Sequence, residues 1–231
     1  MNKIKIIGVG PGDPELVTVK AVRVLREADV VYVPESDAGG RSVAEKIISP
    51  YVSKEKIRLS YFPMTNDEEE LDRRYVALAE EVTDIMLSGK KVAYVTLGDG
   101  MLYSTALYLS ERLKRKGVCH EFIPGIPSYV ACANLIQIPL AEKRECFAIA
   151  GVPENTEGIC GFVDRFNTVA FMKISKRLPV LLEYVKKYKP KTAMLVCRGT
   201  LDGEKIVDLT QTEGVEPDAG YLAIAFIKKG D

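Results

Sequence analysis

Two short segments of this 231-residue chain combine glycine, an acid and the end of an apolar run, the combination that lets bare backbone come close to a ligand. The first is GVGPGD, Gly8 to Asp13; the second is TLGDGMLYST, Thr96 to Thr105, where Asp99 stands between Gly98 and Gly100. A dinucleotide loop needs G-x-G-x-x-G, so that its last glycine packs the following helix against the sheet. In the first segment the third glycine comes one residue early, beside Pro11, and Asp13 and Glu15 would repel a pyrophosphate. An uncharged or cationic ligand suits this loop better. Asp99 can approach a ligand amino group or ribose hydroxyl, or cap the turn that opens the next helix, and Tyr103, Ser104 and Thr105 add hydroxyls beside it.

Other chemistries have less to work with. His120 is the only histidine, which excludes a histidine-rich metal site within one chain and points to a structural or surface role for that ring. The five cysteines, at 119, 132, 146, 160 and 197, contain no C-x-x-C pair, and their odd number leaves no complete disulfide framework. They read as structural thiols in a reducing cytoplasm. Basic and acidic residues both number 32, so no global field draws the chain to nucleic acid or to a membrane surface. The apolar run before Gly8 is interrupted by Lys5 and is too short for a signal peptide or a spanning helix.

The elements that must carry the two segments are legible. IKIIGVG suits a strand buried on both faces and runs into the first glycine turn. A helix is expected over 18–28, with Val19, Val22, Val24 and Leu25 on its apolar side, followed by the strand VVYVP. The long helix 67–88 shows Leu71, Tyr75, Leu78, Val82, Ile85 and Met86 at helical spacing, with Asn66 or Asp67 to cap its start and Gly89 to end it. KVAYVT is a second buried strand that ends in the other glycine segment, with a helix expected from about Thr105 to Lys116. CHEFIPGIPS reads as a short strand and a turn before a helix over 129–136. A domain boundary is placed near residue 120, dividing an N-terminal α/β domain, 1–120, from a C-terminal one, 121–231. In the second half the strands FAIAG, TVAFMKI, TAMLVCR, KIVDLT and YLAIAFI outnumber the helices, of which Leu178 to Tyr188 is the plainest, so a mixed sheet is expected. LDGEK at 201–205 reads as a hairpin turn.

GVGPGDPELVTVKA, TLGDGMLYST and PGIPS, Pro124 to Ser128, resemble in residues, order and spacing the motifs of the tetrapyrrole (corrin/porphyrin) methylases, and the resemblance covers essentially the whole chain. YFPMTND, Tyr61 to Asp67, and IPLAE, Ile138 to Glu142, are similar to the branch that methylates C-20 of precorrin-2 or cobalt-factor II. The resemblance implies two α/β domains with a cleft between them, S-adenosylmethionine as methyl donor, no metal, and a homodimer. It also implies that Pro11, Leu97, Gly98, Asp99, Leu102, Tyr103, Pro127 and Ser128 contact the cofactor, joined by Met172 of FMKI and Gly199 of CRGT. Two departures stand out: the family's Gly-Asp-Pro is Gly-Asp-Gly here, and its Gly-Ile-Thr-Ser is Gly-Ile-Pro-Ser. Gly100 should leave its loop freer, and Pro127 removes one backbone donor.

Methyl transfer from a sulfonium asks chiefly for positioning. A proton must then leave the methylated carbon, and Asp13 or a propionate of the substrate is the expected acceptor. The substrate class carries several carboxylates, for which Arg41, Arg58, Lys143 and Arg144 are candidate partners. Other readings compete: methylation at another tetrapyrrole position, a nucleotide-dependent oxidoreductase with Glu35 on the ribose, and a ligand-binding protein without turnover.

Overall fold

The computed structural model describes residues 3–35, 42–62, 67–212, 214–216 and 219–229. Its contacts divide the chain into two units, 1–127 and 128–231. The first contains β1 (Ile4–Gly8), α1 (Val19–Glu27), β2 (Val30–Glu35), α2 (Val43–Ile48), β3 (Ile57–Tyr61), α3 (Glu68–Leu87), β4 (Val92–Thr96), α4 (Ala106–Arg115) and β5 (His120–Ile123). The strands form one sheet in the order β3-β2-β4-β1-β5. Every neighbouring pair is parallel.

Alternation along the strands feeds two cores. Ile7, Val31, Val33, Ala93 and Val95 pack with Ala21 and Leu25 of α1 and Ile47 and Ile48 of α2. Ile4, Ile6, Tyr32 and Tyr94 pack with Tyr75, Leu78 and Val82 of α3 and Leu109 and Leu113 of α4. The chain thus leaves adjacent strands β1 and β4 toward opposite faces, which makes their carboxyl ends the switch point where open α/β sheets collect ligands.

Local signals behave as expected at the helix ends. The Thr18 hydroxyl accepts the Ala21 amide, and the Asp67 carboxylate accepts that of Glu70. Asn66, the other candidate cap, lies outside the described residues, as does most of YFPMTND. Within α1 the buried line is Ala21 and Leu25, one helical repeat apart, whereas Val19 in the first turn is 87% exposed. The expectation that Val19 packs inward is therefore corrected. The helix α2 carried no expectation; its six residues are too few for periodicity to register, and burial of Ala44, Ile47 and Ile48 holds it.

The chain divides beyond the expected 120, because β5 pairs in parallel with β1, setting Ile4 against His120 and Ile7 against Ile123. Lys5, the charge inside the first apolar run, faces Glu121 in this register and binds it at 2.7 Å. His120 shares a 2.7 Å hydrogen bond between Nε2 and the Ser110 hydroxyl of α4, a structural use of the ring.

The second unit contains α5 (Ser128–Leu135), β6 (Phe147–Gly151), α6 (Thr156–Val163), β7 (Thr168–Met172), α7 (Leu178–Tyr188), β8 (Thr192–Cys197), β9 (Lys205–Asp208) and β10 (Ala223–Lys228). Its sheet runs β6-β7-β10-β8-β9. It is mixed: β6 and β7 are parallel, β10 is antiparallel to both β7 and β8, and β8 and β9 form the expected hairpin. The helices α6 and α7 cover one face through Ile159, Leu178, Leu181 and Tyr184. On the other face α5 lays Cys132 and Ala133 over Ala170, Val196 and Phe226. Among the described residues no helix is long and apolar enough to cross a membrane.

Candidate functional site

The loops that follow β1, β4 and β5 are tied together by their own backbones. The Gly10 amide donates to the Gly98 carbonyl at 3.1 Å, and the Gly98 amide donates back to the Gly10 carbonyl at 2.7 Å. Gly10 and Gly98 have φ of 83° and 68°, the left-handed region in which glycine is free of strain. Behind this bridge there is no room for side chains. A β-carbon on Gly8 would stand 2.7 Å from the Gly98 carbonyl oxygen, and one on Gly125 would overlap that oxygen and lie 2.6 Å from the Gly8 carbonyl carbon. Gly8, Gly98 and Gly125 are thus a backbone contact among three strand ends.

Asp99 staples the same contact. Its Oδ1 accepts the Met101 amide at 2.9 Å, and its Oδ2 accepts the Gly125 amide at 3.0 Å. The capping role weighed against ligand contact is therefore real, and it extends to a second loop. Leu102 closes the turn, its amide reaching the Asp99 carbonyl at 3.4 Å. Tyr103 follows with φ of 49°, and Ser104 shares a 2.9 Å bond with the buried Thr96 hydroxyl. Asp13 accepts the Glu15 amide at 2.8 Å and so caps a 3-10 turn, Pro14–Leu16. Pro11 is buried beside Gly10, while Pro127 is half-buried two residues beyond Gly125.

Gly100 is buried against the ring of Phe122 in β5, where a β-carbon would stand 2.9 Å from the ring edge. The expected looseness of this loop is thus corrected: the space that a proline would fill holds an aromatic side chain. Gly100→Ala should cost about 1–3 kcal/mol from overpacking. Shortening Phe122 to leucine should recover most of that loss in the double variant. Additive losses in denaturant titrations of the two single variants and the double would contradict this pairing.

In the second unit Met172 ends β7 and packs half-buried against the core under α5. Gly199 follows β8, and a β-carbon there would stand 2.6 Å from Cys132 Sγ of α5, a side chain that would have to shift to admit it. Burial pushes the Cys132 thiol up to about 12. Cys119 and Cys146 are exposed, whereas Cys132 and Cys197 are buried. Iodoacetamide at pH 8 should therefore label Cys119 and Cys146 in the folded protein and reach Cys132 and Cys197 only after denaturation. Early labelling of Cys132, read by peptide mass, would contradict that burial.

The model of the tetrapyrrole (corrin/porphyrin) methylases matches residues 3–213 of this chain. The chain belongs to that family. A probable cobalt-precorrin-2 C(20)-methyltransferase of Methanocaldococcus jannaschii is 35% identical over 231 residues, covering 99% of this chain and 97% of the relative. A cobalt-precorrin-2 C(20)-methyltransferase of Salmonella typhimurium is 30% identical over 211 residues, covering 88% and 86%. Among solved structures, a cobalt precorrin-4 methyltransferase superimposes with a TM-score of 0.72 at 25% identity, covering 98% of this chain and 94% of that one.

For a methylase of this family the distribution of charge around the loops matters. Residues 9–18, 97–105 and 124–127 contain the acids Asp13, Glu15 and Asp99 and no Lys, Arg or His. The structure joins these segments, the third to the first also through a bond from the Thr18 hydroxyl to the Pro124 carbonyl. Such a surface repels a pyrophosphate and counts against the oxidoreductase reading.

The expected carboxylate partners fare differently. Arg58 is committed to Glu81 at 3.0 Å and to the Tyr32 hydroxyl at 3.3 Å, an anchor on the α3 side of the sheet. Lys143 and Arg144 line a depression of about 450 Å³ with Glu142, Glu145 and Asn167, beside the amino ends of β6 and β7. Met172 and Gly199 lie beyond the carboxyl ends of their strands, at the opposite rim. Arg41 lies outside the described residues. Gly125 lies within PGIPS but is not among the expected site residues, because its requirement comes from two other loops.

Proposed function

We propose that this protein is an S-adenosylmethionine-dependent methyltransferase that methylates C-20 of precorrin-2 or cobalt-factor II in cobalamin biosynthesis, acting as a homodimer in the cytoplasm. The observation that carries the cofactor assignment is the set of joined loops at the switch point, which bears three carboxylates and no cation. That surface suits a sulfonium nucleoside with an amino group and disfavours a phosphate. The substrate assignment rests on the two near full-length relatives that carry the C(20) name.

Bound S-adenosylmethionine supplies a methyl group on a positive sulfur, so the protein's task is placement, on the order of 7–11 kcal/mol in well-oriented model reactions. Pro11, Leu97, Gly98, Leu102, Tyr103, Pro127 and Ser128 are the proposed contacts of the first loops and the start of α5, with Met172 and Gly199 as those of the second sheet. Asp99 acts by holding the loop through the Met101 and Gly125 amides. Asp13 is the proposed acceptor of the departing proton. Asp13→Asn keeps an oxygen for the Glu15 amide, so a fall in kcat with unchanged S-adenosylhomocysteine affinity would mark a chemical role. Full turnover by this variant would remove Asp13 as the base.

The assignment is tested by incubating the protein anaerobically with methyl-labelled S-adenosylmethionine and precorrin-2 or cobalt-factor II. Label should enter the macrocycle at C-20. Calorimetric binding of NAD with no response to S-adenosylhomocysteine, or label at another carbon, would overturn it.

A further inference from the structure

Among the described residues, five of the eight non-glycine residues with positive φ flank the loops already described: Tyr103 in the first unit, and Lys173, Arg198, Thr200 and Leu222 in the second. The last four share one rim of the second sheet. Strand β10 separates β7 from β8, and Ala225 pairs with both Phe171 and Leu195, so the ends of β7 and β8 are nearly level. Lys173 is the first residue beyond β7 and Arg198 the first beyond β8, two strand spacings apart, or roughly 10 Å. Between them the Leu222 carbonyl accepts the Arg198 amide at 2.9 Å.

Left-handed backbone disfavours any residue with a β-carbon, and such strain collects at functional sites. Here it places two cations immediately next to Met172 and Gly199. Arg198 is half-buried and steadied through its Nε, which donates to the Asp202 carbonyl at 2.8 Å, with no carboxylate partner for its guanidinium among the described residues. Lys173 is exposed and has no ion pair or hydrogen bond among them either. The cations expected from sequence differ in this respect or in place: Arg58 is neutralised by Glu81, and Lys143 and Arg144 occupy the opposite rim.

We propose that Lys173 and Arg198 form a carboxylate-binding subsite at the carboxyl rim of the second sheet, which holds acidic substituents of the macrocycle. The proposal rests on the methylase reading above. A carboxylate is also present in the methionyl part of the cofactor, so the two sources are separated by titrating each ligand. The variants are Lys173→Gln, Arg198→Gln and their combination, with Lys143→Gln/Arg144→Gln as the control at the other rim. The probes are uroporphyrin III, a fluorescent macrocycle with acetate and propionate on every pyrrole ring, and S-adenosylhomocysteine by calorimetry.

Each single variant should weaken uroporphyrin binding by about tenfold, the usual worth of a charge-assisted hydrogen bond, and the combination by more. S-adenosylhomocysteine affinity should stay within error in each variant, and the thermal midpoint should stay within error for Lys173→Gln and fall by no more than a few degrees for Arg198→Gln, which loses the bond to the Asp202 carbonyl. The salt dependence of uroporphyrin binding should also fall in the combined variant. Loss of S-adenosylhomocysteine affinity with uroporphyrin binding intact would assign the subsite to the cofactor carboxylate and overturn its assignment to substrate. Wild-type binding of both probes with no change in the variants would overturn the subsite while leaving the methylase reading intact. A wild-type protein that binds neither probe and transfers no label would overturn both.

Discussion

Gly125→Ala should lower the thermal midpoint by roughly 6–12 °C and reduce S-adenosylhomocysteine affinity beyond calorimetric detection. The added carbon would overlap the Gly98 carbonyl oxygen and stand 2.6 Å and 2.7 Å from the Gly8 carbonyl carbon and oxygen, so all three contacts are with backbone. No rotamer change can relieve such a contact; a strand end must move. Overpacking costs about 1–3 kcal/mol where side chains can yield and more where they cannot, and a chain of this size loses about 2–4 °C per kcal/mol. Gly151→Ala at the end of β6 is the control, since a β-carbon there has nothing within 4 Å. Differential scanning calorimetry of the pair checks the claim, and a Gly125→Ala midpoint within 2 °C of wild type would refute the three-loop contact.

Asp99→Ala should be nearly as damaging, for an electrostatic reason. It removes the acceptors of the Met101 and Gly125 amides, the second of which ties the loop after β5 to the loop after β4. Leaving such donors unsatisfied costs about 1–3 kcal/mol each, so the combined loss is roughly 2–4 kcal/mol with partial access to water. S-adenosylhomocysteine affinity should fall more than tenfold as the loop loses its shape. Asp99→Asn keeps one acceptor oxygen and should fall between wild type and alanine in both stability and affinity. If instead asparagine holds the thermal midpoint at the wild-type value while losing affinity as fully as alanine, the carboxylate charge itself meets the ligand and the staple is secondary.

Much of this arrangement could be read from the chain because its determinants are local. Thr18 and Asp67 cap the helices they precede, Pro179 sits in the first turn of α7, and the apolar spacing of Tyr75, Leu78 and Val82 marks the buried side of α3. The glycine segments fall at the ends of β1 and β4 for the same reason, since a buried apolar strand must stop where glycine and proline interrupt it. Short or weakly patterned elements were less legible. The six residues of α2 and the eight of α6 are too few to be stable alone and exist through contacts with distant strands. The four-residue β5 straddles the expected boundary at 120, and its pairing with β1 puts it in the first sheet.

By itself, then, the sequence determined the main strands and the longer helices in their order, the placing of two glycine-acid loops at strand ends, and the family to which those motifs belong. Capping, turn chemistry and hydrophobic period act over a few residues and are written in the order of side chains. Only the tertiary structure decided that Gly125 must be bare and that Asp99 staples two loops. It alone showed that Gly100 makes room for Phe122 and that Arg58 is already neutralised. It alone set Lys173 and Arg198 level on one rim. Those facts depend on which strands become neighbours and in what register, and strand pairing joins residues far apart in the chain whose spacing leaves no local trace.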